Sequence, residues 1–344
     1  MNLLILFVLF VSIFGHSLGY GESDPDGNPI WRERESHVIT NTIRMAPQDF
    51  VPMYYPSHVA SNFMQYVIYP PVGPLYLTLN GSRVAKAHSV DLGTNGCFEH
   101  NDCNGTLVSR RFNKFLNYYC LDNWSENMAQ RIEDGKYATF GLLCETTSTC
   151  FPDLQNDGHR STMMNPDFNS MGVGMMYGPD VYTQDFFQDR CLTLDYPVHS
   201  GSHTYNISSS SSQVITLYYL ATWHHNTSAP TSAKLFVKPN NGSSWVSDLK
   251  LQLGKSNAGT YFYKTESFQE CQQYYFVFEL GSKTYRYPET GVLQTLTLDN
   301  QECPSWVNTN FIVDTDHPSS APSIPRSHSI IILVILIILT ILVI

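Results

Sequence analysis

Three short segments hold the side chains that could do chemistry. They are Cys97-Phe98-Glu99-His100-Asn101-Asp102-Cys103, Ser125-Glu126-Asn127-Met128-Ala129 and Gly158-His159-Arg160-Ser161-Thr162. A neutral imidazole nitrogen and a carboxylate oxygen both ligate divalent metals such as zinc, and the same two groups serve as general base and acid. His100, Glu126 and His159 stand 26 and 33 positions apart, so only tertiary folding could bring them together. Each also has a plainer reading. Asn123-Trp124-Ser125-Glu126 fits a capping box at the start of a helix, and a lone His159 fits a hydrogen-bonded, half-buried histidine.

Other motifs point away from chemistry. Gly172-Val173-Gly174 lacks the third glycine and the following helix of a phosphate loop and reads as close packing of a strand. His224 and His225 are neighbours in a β segment and face opposite ways. His199 and His203 fall in a boundary loop, where they are expected to be solvated. Beyond the leader described below there is no Gly-x-Ser-x-Gly elbow, and the chain has no His-Glu-x-x-His motif, which disfavours the common secreted hydrolases.

The elements that must position these residues form two halves. In the first, helices are expected over 83–92, with Gly93 at the C′ position, over 106–119, and over 126–133, ended by Gly135. Strands are expected at 171–177 and 182–187. Near residue 199 the composition shifts. Short β segments follow at 214–219, 233–237, 249–253, 261–264, 274–280 and 292–298, spaced as in a sandwich.

The ordered motifs of the first half resemble the CAP superfamily, which groups cysteine-rich secretory proteins, venom antigen five and plant pathogenesis-related proteins. The resemblance rests on Ala87-His88-Ser89-Val90-Asp91, the His100 turn, Glu126-Asn127-Met128-Ala129, and Gly158-His159-Arg160 before Gly172-Val173-Gly174. It spans about residues 36–190 and is nearest the microbial members. It implies an α-β-α sandwich and a cleft of two histidines and two acids that holds a divalent metal such as zinc in some members. By motif the histidines are His100 and His159 and the first acid is Glu126. The second acid usually lies between the Glu-Asn segment and the second histidine, commonly beside a tryptophan; here no tryptophan stands between Trp124 and His159. Glu145 is the nearest candidate, with Glu133 behind it.

The ends and cysteines speak to the compartment. Residues 1–19 read as a signal peptide. The tail 330–344 is apolar except for Thr340, is shorter than a spanning helix and follows the small residues Ser319, Ser320 and Ala321. That pattern fits lipid attachment at Ser319 by a GPI anchor. The eight cysteines imply disulfides in a secreted chain. Local spacing suggests Cys97–Cys103 and Cys144–Cys150, Cys271 and Cys303 share the second half, and Cys120 and Cys191 are then left for each other. Six glycosylation sequons occur, at Asn80, Asn104, Asn123, Asn206, Asn226 and Asn241.

The organisation expected is therefore a CAP domain over 20–199, a small β-sandwich-like domain over 200–310, a Ser/Pro linker over 311–329 and the tail. Charged residues make up 15% of the chain against about 25% in an average soluble domain. The net charge of −10 argues against a nucleic-acid binder, which needs a basic face. The favoured function is a non-catalytic extracellular binding or signalling module at the cell surface. Its partner would be a lipid, sterol, glycan or protein. The alternatives are a metal-dependent hydrolase and an adhesion or wall-binding protein.

Overall fold

The computed structural model describes residues 29–54, 63–132, 134–145, 150, 156–192, 196–207, 214–239, 242–268, 271–289 and 291–295. The leader, Glu133, Asn241, Cys303, Ser319, the linker and the tail lie outside the described residues. No described helix is long and apolar enough to cross a membrane.

The chain is α+β, an α-β-α sandwich followed by an all-β region. The first sheet has the order β1 (Tyr76–Leu77), β3 (Ser170–Met176), β4 (Val181–Asp189), β2 (Leu121–Gln130). One face carries α3 (Leu79–Asn95) and α4 (Val108–Phe115); the other carries α1 (Trp31–Met45), α2 (Pro47–Tyr54), α5 (Gly135–Cys144) and the short α6 (Gly158–Met163). The alternation of a strand distributes side chains between them. Phe186 and Val173 pack with Ile39, Ile43 and Leu143, whereas Phe187 packs with Val84, Val108 and Phe112. Helix α3 lies directly on β3. A Cβ on Gly172 would sit 2.1 Å from the Gly81 carbonyl oxygen, and one on Gly174 2.1 Å from the Lys86 nitrogen. The two glycines thus have the close-packing role their spacing suggested.

Two four-stranded runs form the second half: β5 (Val198–Ile207), β6 (Val214–His224), β10 (Ala258–Phe268), β9 (Lys250–Lys255), and β12 (Lys283–Tyr287), β11 (Gln272–Leu280), β7 (Ser232–Pro239), β8 (Trp245–Asp248). Strand β13 (Leu293–Gln294) pairs with β11. Between these sheets lies an aromatic core that includes Tyr219, Trp223, Tyr274, Phe276 and Phe278. On its other side the β5–β6 sheet meets α1: Thr260 Oγ1 donates to Thr42 Oγ1 at 2.9 Å and Asn41 Nδ2 to Ser200 Oγ at 3.2 Å. Helix α1, covered by the first sheet and by this one, has every residue from Arg32 to Met45 buried.

Several sequence expectations are corrected here. Segment 126–133 is not a helix: residues 121–130 form an edge strand hydrogen-bonded to β4, so Glu126 caps no helix. The helix expected over 106–119 is Val108–Phe115, because Leu116 is extended (φ −103°, ψ 150°). Helix α3 runs past Gly93 to Asn95, and Gly96 (φ 73°) takes the left-handed cap, its N–H bonded to the Leu92 carbonyl. His199 and His203 are in β5, not in a solvated loop. Both are buried; His203 Nδ1 lies 2.9 Å from the Tyr274 hydroxyl, and His199 Nδ1 lies 3.2 Å from the Pro197 carbonyl.

Cys97–Cys103, Cys120–Cys191 and Cys144–Cys150 are disulfides. Cys271 is also disulfide-bonded.

Candidate functional site

Strand β2 positions the central acid. Even-numbered residues of this strand face α3 and α4, as Met128 does in packing with Leu92. Odd-numbered residues face the other way: Ser125 Oγ lies 3.0 Å from Thr162 Oγ1 of α6, and Asn127 Nδ2 donates to the His159 carbonyl at 3.0 Å. Glu126 is therefore held on the α3–α4 side. His100 Nδ1 lies 2.9 Å from its Oε1, and Arg111 of α4 donates to its Oε2. The same guanidinium reaches Asp102, in the loop with His100, and donates to the His100 carbonyl at 3.3 Å through Nη2. Arg111 and Glu126 are almost wholly buried, whereas the His100 side chain is 58% exposed.

The tautomer of His88 follows from its neighbours. His88 Nδ1 lies 2.8 Å from Arg111 Nη1 and 3.1 Å from Asp102 Oδ1; Arg111 can only donate and reaches both, so Nδ1 accepts. The ring proton is then on Nε2, which faces Met128 Sδ at 3.2 Å and Glu126 Oε1 at 3.6 Å. Burial, together with the Arg111 charge, lowers the His88 pKa in keeping with this neutral form. His100 is the opposite case: its hydrogen bond to Glu126 raises its pKa. For Glu126, burial pushes upward, but the His100 hydrogen bond and the Arg111 charge prevail and hold its carboxyl below the usual range.

Asp185 completes the cluster from within. It is directly opposite Glu126 in the β2–β4 ladder and fully buried, with neither oxygen bonded to a protein donor. Burial, then the Glu126 charge, raises its pKa well above the carboxylate range. Two facing carboxylates have no donor between them, and protonation of Asp185 removes the repulsion. Arg111, Asp102, His88 and Asp185 were not candidates from sequence. Arg111 carried a signal, since it stands at i+3 from Val108 and i−4 from Phe115 on the apolar stripe of α4.

The second pair is separate. Glu145 caps α5 in the left-handed region (φ 61°), where its Oε2 lies 2.6 Å from His159 Nδ1 and its Oε1 accepts the Arg160 N–H at 2.9 Å. This pair belongs to the α5–α6 side and the His100–Glu126 pair to the α3–α4 side. Among the described residues, no three metal-ligating atoms drawn from both pairs lie within 4.8 Å of one another.

Among the described residues, His100, Glu126, Glu145 and His159 do not converge as one ligand set. Both Glu126 oxygens and His100 Nδ1 are taken by one another and by Arg111, a fixed cation at the place where a metal would need an anionic ligand. His88, Asp91 and Asp102 do come within 4.8 Å of one another, but Arg111 already bonds to His88 and Asp102, and Asp91 Oδ2 accepts the Cys103 N–H.

Comparison with known proteins agrees with this architecture. Residues 71–196 match the family model described as "Cysteine-rich secretory protein family" (CAP). Among solved structures, the chain is similar to an extracellular protein containing an SCP domain from Bacillus anthracis str. Ames, at 20% identity over 49% of this chain and 45% of that one, with a TM-score of 0.32. It is also similar to a Br derivative of BhCBM56, at 16% identity over 29% of this chain and 97% of that one, with a TM-score of 0.19. The chain thus spans less than half the length of the Bacillus protein. No curated protein matches it. The segment that holds the first sheet, α3 and α4, both His–Glu pairs and the Arg111 cluster is the one that matches the family model of the cysteine-rich secretory proteins.

Proposed function

We propose that the protein is an extracellular binding module displayed at the cell surface, in which the CAP domain and the β region act as one recognition body. The observation that carries this reading is the internal neutralisation of both acids. Glu126 is spent on Arg111 and His100, and Glu145 on His159 and the Arg160 N–H. A hydrolase would need one of these groups to be available to a water or a metal. An apolar ligand such as a lipid or sterol is favoured by the turn Tyr66-Val67-Ile68, whose side chains are exposed although its backbone is fixed by hydrogen bonds to the Gln65 carbonyl.

The test uses the secreted, tail-free protein on panels of sterols, fatty acids and matrix extracts, alongside peptide and ester substrates. Saturable binding that survives His100→Ala, with no hydrolysis, is the expected result. Hydrolysis that disappears with His100→Ala would establish the enzymatic alternative. For the surface reading, a phosphatidylinositol-specific phospholipase C is expected to release the full-length protein from cells; retention after treatment overturns the lipid anchor.

A further inference from the structure

A cavity of about 370 Å³ opens where the first turn of α3 meets the α4–β2 turn and the end of β4. Leu79, Leu116 and Phe187 give it an apolar wall, and Asn80, Asn117 and Asp189 a polar rim. Its size and mixed lining suit a small ring with one apolar face and several hydroxyls. The wall is stiff. The Cys120 N–H donates to the Asn117 carbonyl at 2.9 Å, the Tyr119 N–H donates to Asn117 Oδ1 at 3.1 Å, and the Cys120–Cys191 disulfide ties the turn to the chain beyond β4. The same turn holds Tyr118 and Tyr119 66% and 84% exposed, with their rings edge to face at 5.9 Å. Exposed tyrosines held rigidly offer stacking area at little cost in side-chain entropy.

Asn80 is at once a rim residue and the acceptor of the sequon Asn80-Gly81-Ser82. Its Oδ1 accepts from Arg83 Nη1 at 3.2 Å, a contact that a sugar on Nδ2 leaves intact. Ser82 supplies an independent observation. Its hydroxyl is buried and has no hydrogen-bond partner, so the fold alone would be served as well or better by alanine. The sequon gives that hydroxyl a reason to be present.

We infer that Asn80 carries an N-linked glycan whose first sugars rest in this cavity and against Tyr118 and Tyr119, so that the occupant of the cavity is the protein's own carbohydrate. The inference rests on the secretory reading above. In the linkage step the Asn80 amide nitrogen bonds to the anomeric carbon of a lipid-pyrophosphate-linked oligosaccharide. The anomeric carbon–oxygen bond breaks, the lipid pyrophosphate leaves and the amide gives up a proton.

The experiment is peptide mapping of the full chain secreted from eukaryotic cells, with native enzymatic deglycosylation followed over time in heavy-oxygen water. Asn80 is expected to be occupied, and its glycan released about tenfold more slowly than that on the exposed Asn226. Tyr118→Ala/Tyr119→Ala is expected to equalise the two rates, and Ser82→Ala to remove the Asn80 glycan from a protein that is still secreted; should Ser82→Ala fail to fold, Asn80→Gln replaces it. An unmodified Asn80 beside occupied sequons elsewhere, or an Asn80 glycan released as fast as that of Asn226, overturns the inference. If no sequon is occupied, the secretory reading fails with it.

Discussion

Replacing Arg111 with methionine tests the internal neutralisation most directly. Arg111 is buried between Glu126, itself 2% exposed, and Asp102, and it also donates to the His100 carbonyl and to His88. Methionine fills much of the same volume but leaves Glu126 facing His100 and Asp185 without its guanidinium. Removing one partner of a buried ion pair costs about 3–5 kcal/mol. At roughly 2–4 °C per kcal/mol, the variant should melt about 10 °C below the parent. The loss should depend on pH. Without Arg111, one of the two influences that keep His88 neutral disappears, so its folded pKa rises. A raised folded pKa contributes stability that is present at low pH and is lost as pH rises through it. The defect is therefore expected to be larger at pH 8 than at pH 5.5. Thermal and urea unfolding of the secreted protein at both pH values measures this, and adding Glu126→Gln to Arg111→Met should recover about 2 kcal/mol through the coupling of the two sites. A defect under about 1 kcal/mol that is flat with pH, with additive effects in the cycle, would refute the claim that Arg111 neutralises the site.

Three further outcomes follow from other parts of the fold. Burial holds His199 neutral, with a pKa lowered to about 3, so protons taken up only by the unfolded chain between pH 6.5 and 3 destabilise the fold as pH falls. His199→Phe keeps a ring beside Tyr76 and should flatten the loss between pH 7 and pH 5 by about 2 kcal/mol in urea titrations; Glu35, whose pKa is raised to about 8 chiefly by burial and which pulls the opposite way, is common to both proteins. Gly174→Ala would drive a methyl into the Lys86 backbone and should cost about 3 kcal/mol, read as a lowered urea midpoint. Glu145→Ala and Glu145→Gly both lose the bonds to His159 and Arg160, but only glycine relieves the left-handed backbone, so the glycine variant should be more stable than the alanine variant by about 1 kcal/mol in thermal melts.

The β half was legible where a strand alternates plainly, as in β7, whose Ala233, Leu235 and Val237 enter the core between the two sheets. Helix α1 was not, because Arg32, Glu33, Arg34, Glu35 and Arg44 mark a solvent face in any sequence reading, and here they are buried. Their partners are distant in sequence. Arg44, for example, donates to the carbonyls of Gly73, Met163, Asn165 and Phe168 and so ties the helix to the loop after α6. Hydropathy cannot register a charge whose cost is met by carbonyls 29 to 124 positions away.

The four site candidates show the same limit from the other side. Motif order was enough to nominate His100, Glu126, His159 and Glu145, but not to say which meets which. That depends on β2 being a strand. In a helix, Glu126 and Asn127 would point about 100° apart; in a strand they oppose each other, and the backbone of β2 runs between the Arg111 cluster and the α6 contacts. Once Glu126 is committed to the α3–α4 side, the nearest fixed cation is Arg111 on the inner stripe of α4, and the nearest acid is Asp185 across the ladder. The neutralised cluster is thus a consequence of strand parity at one edge. A one-residue slip of β2 against β4 would turn Glu126 toward α6 and take from Arg111 its most buried anionic partner.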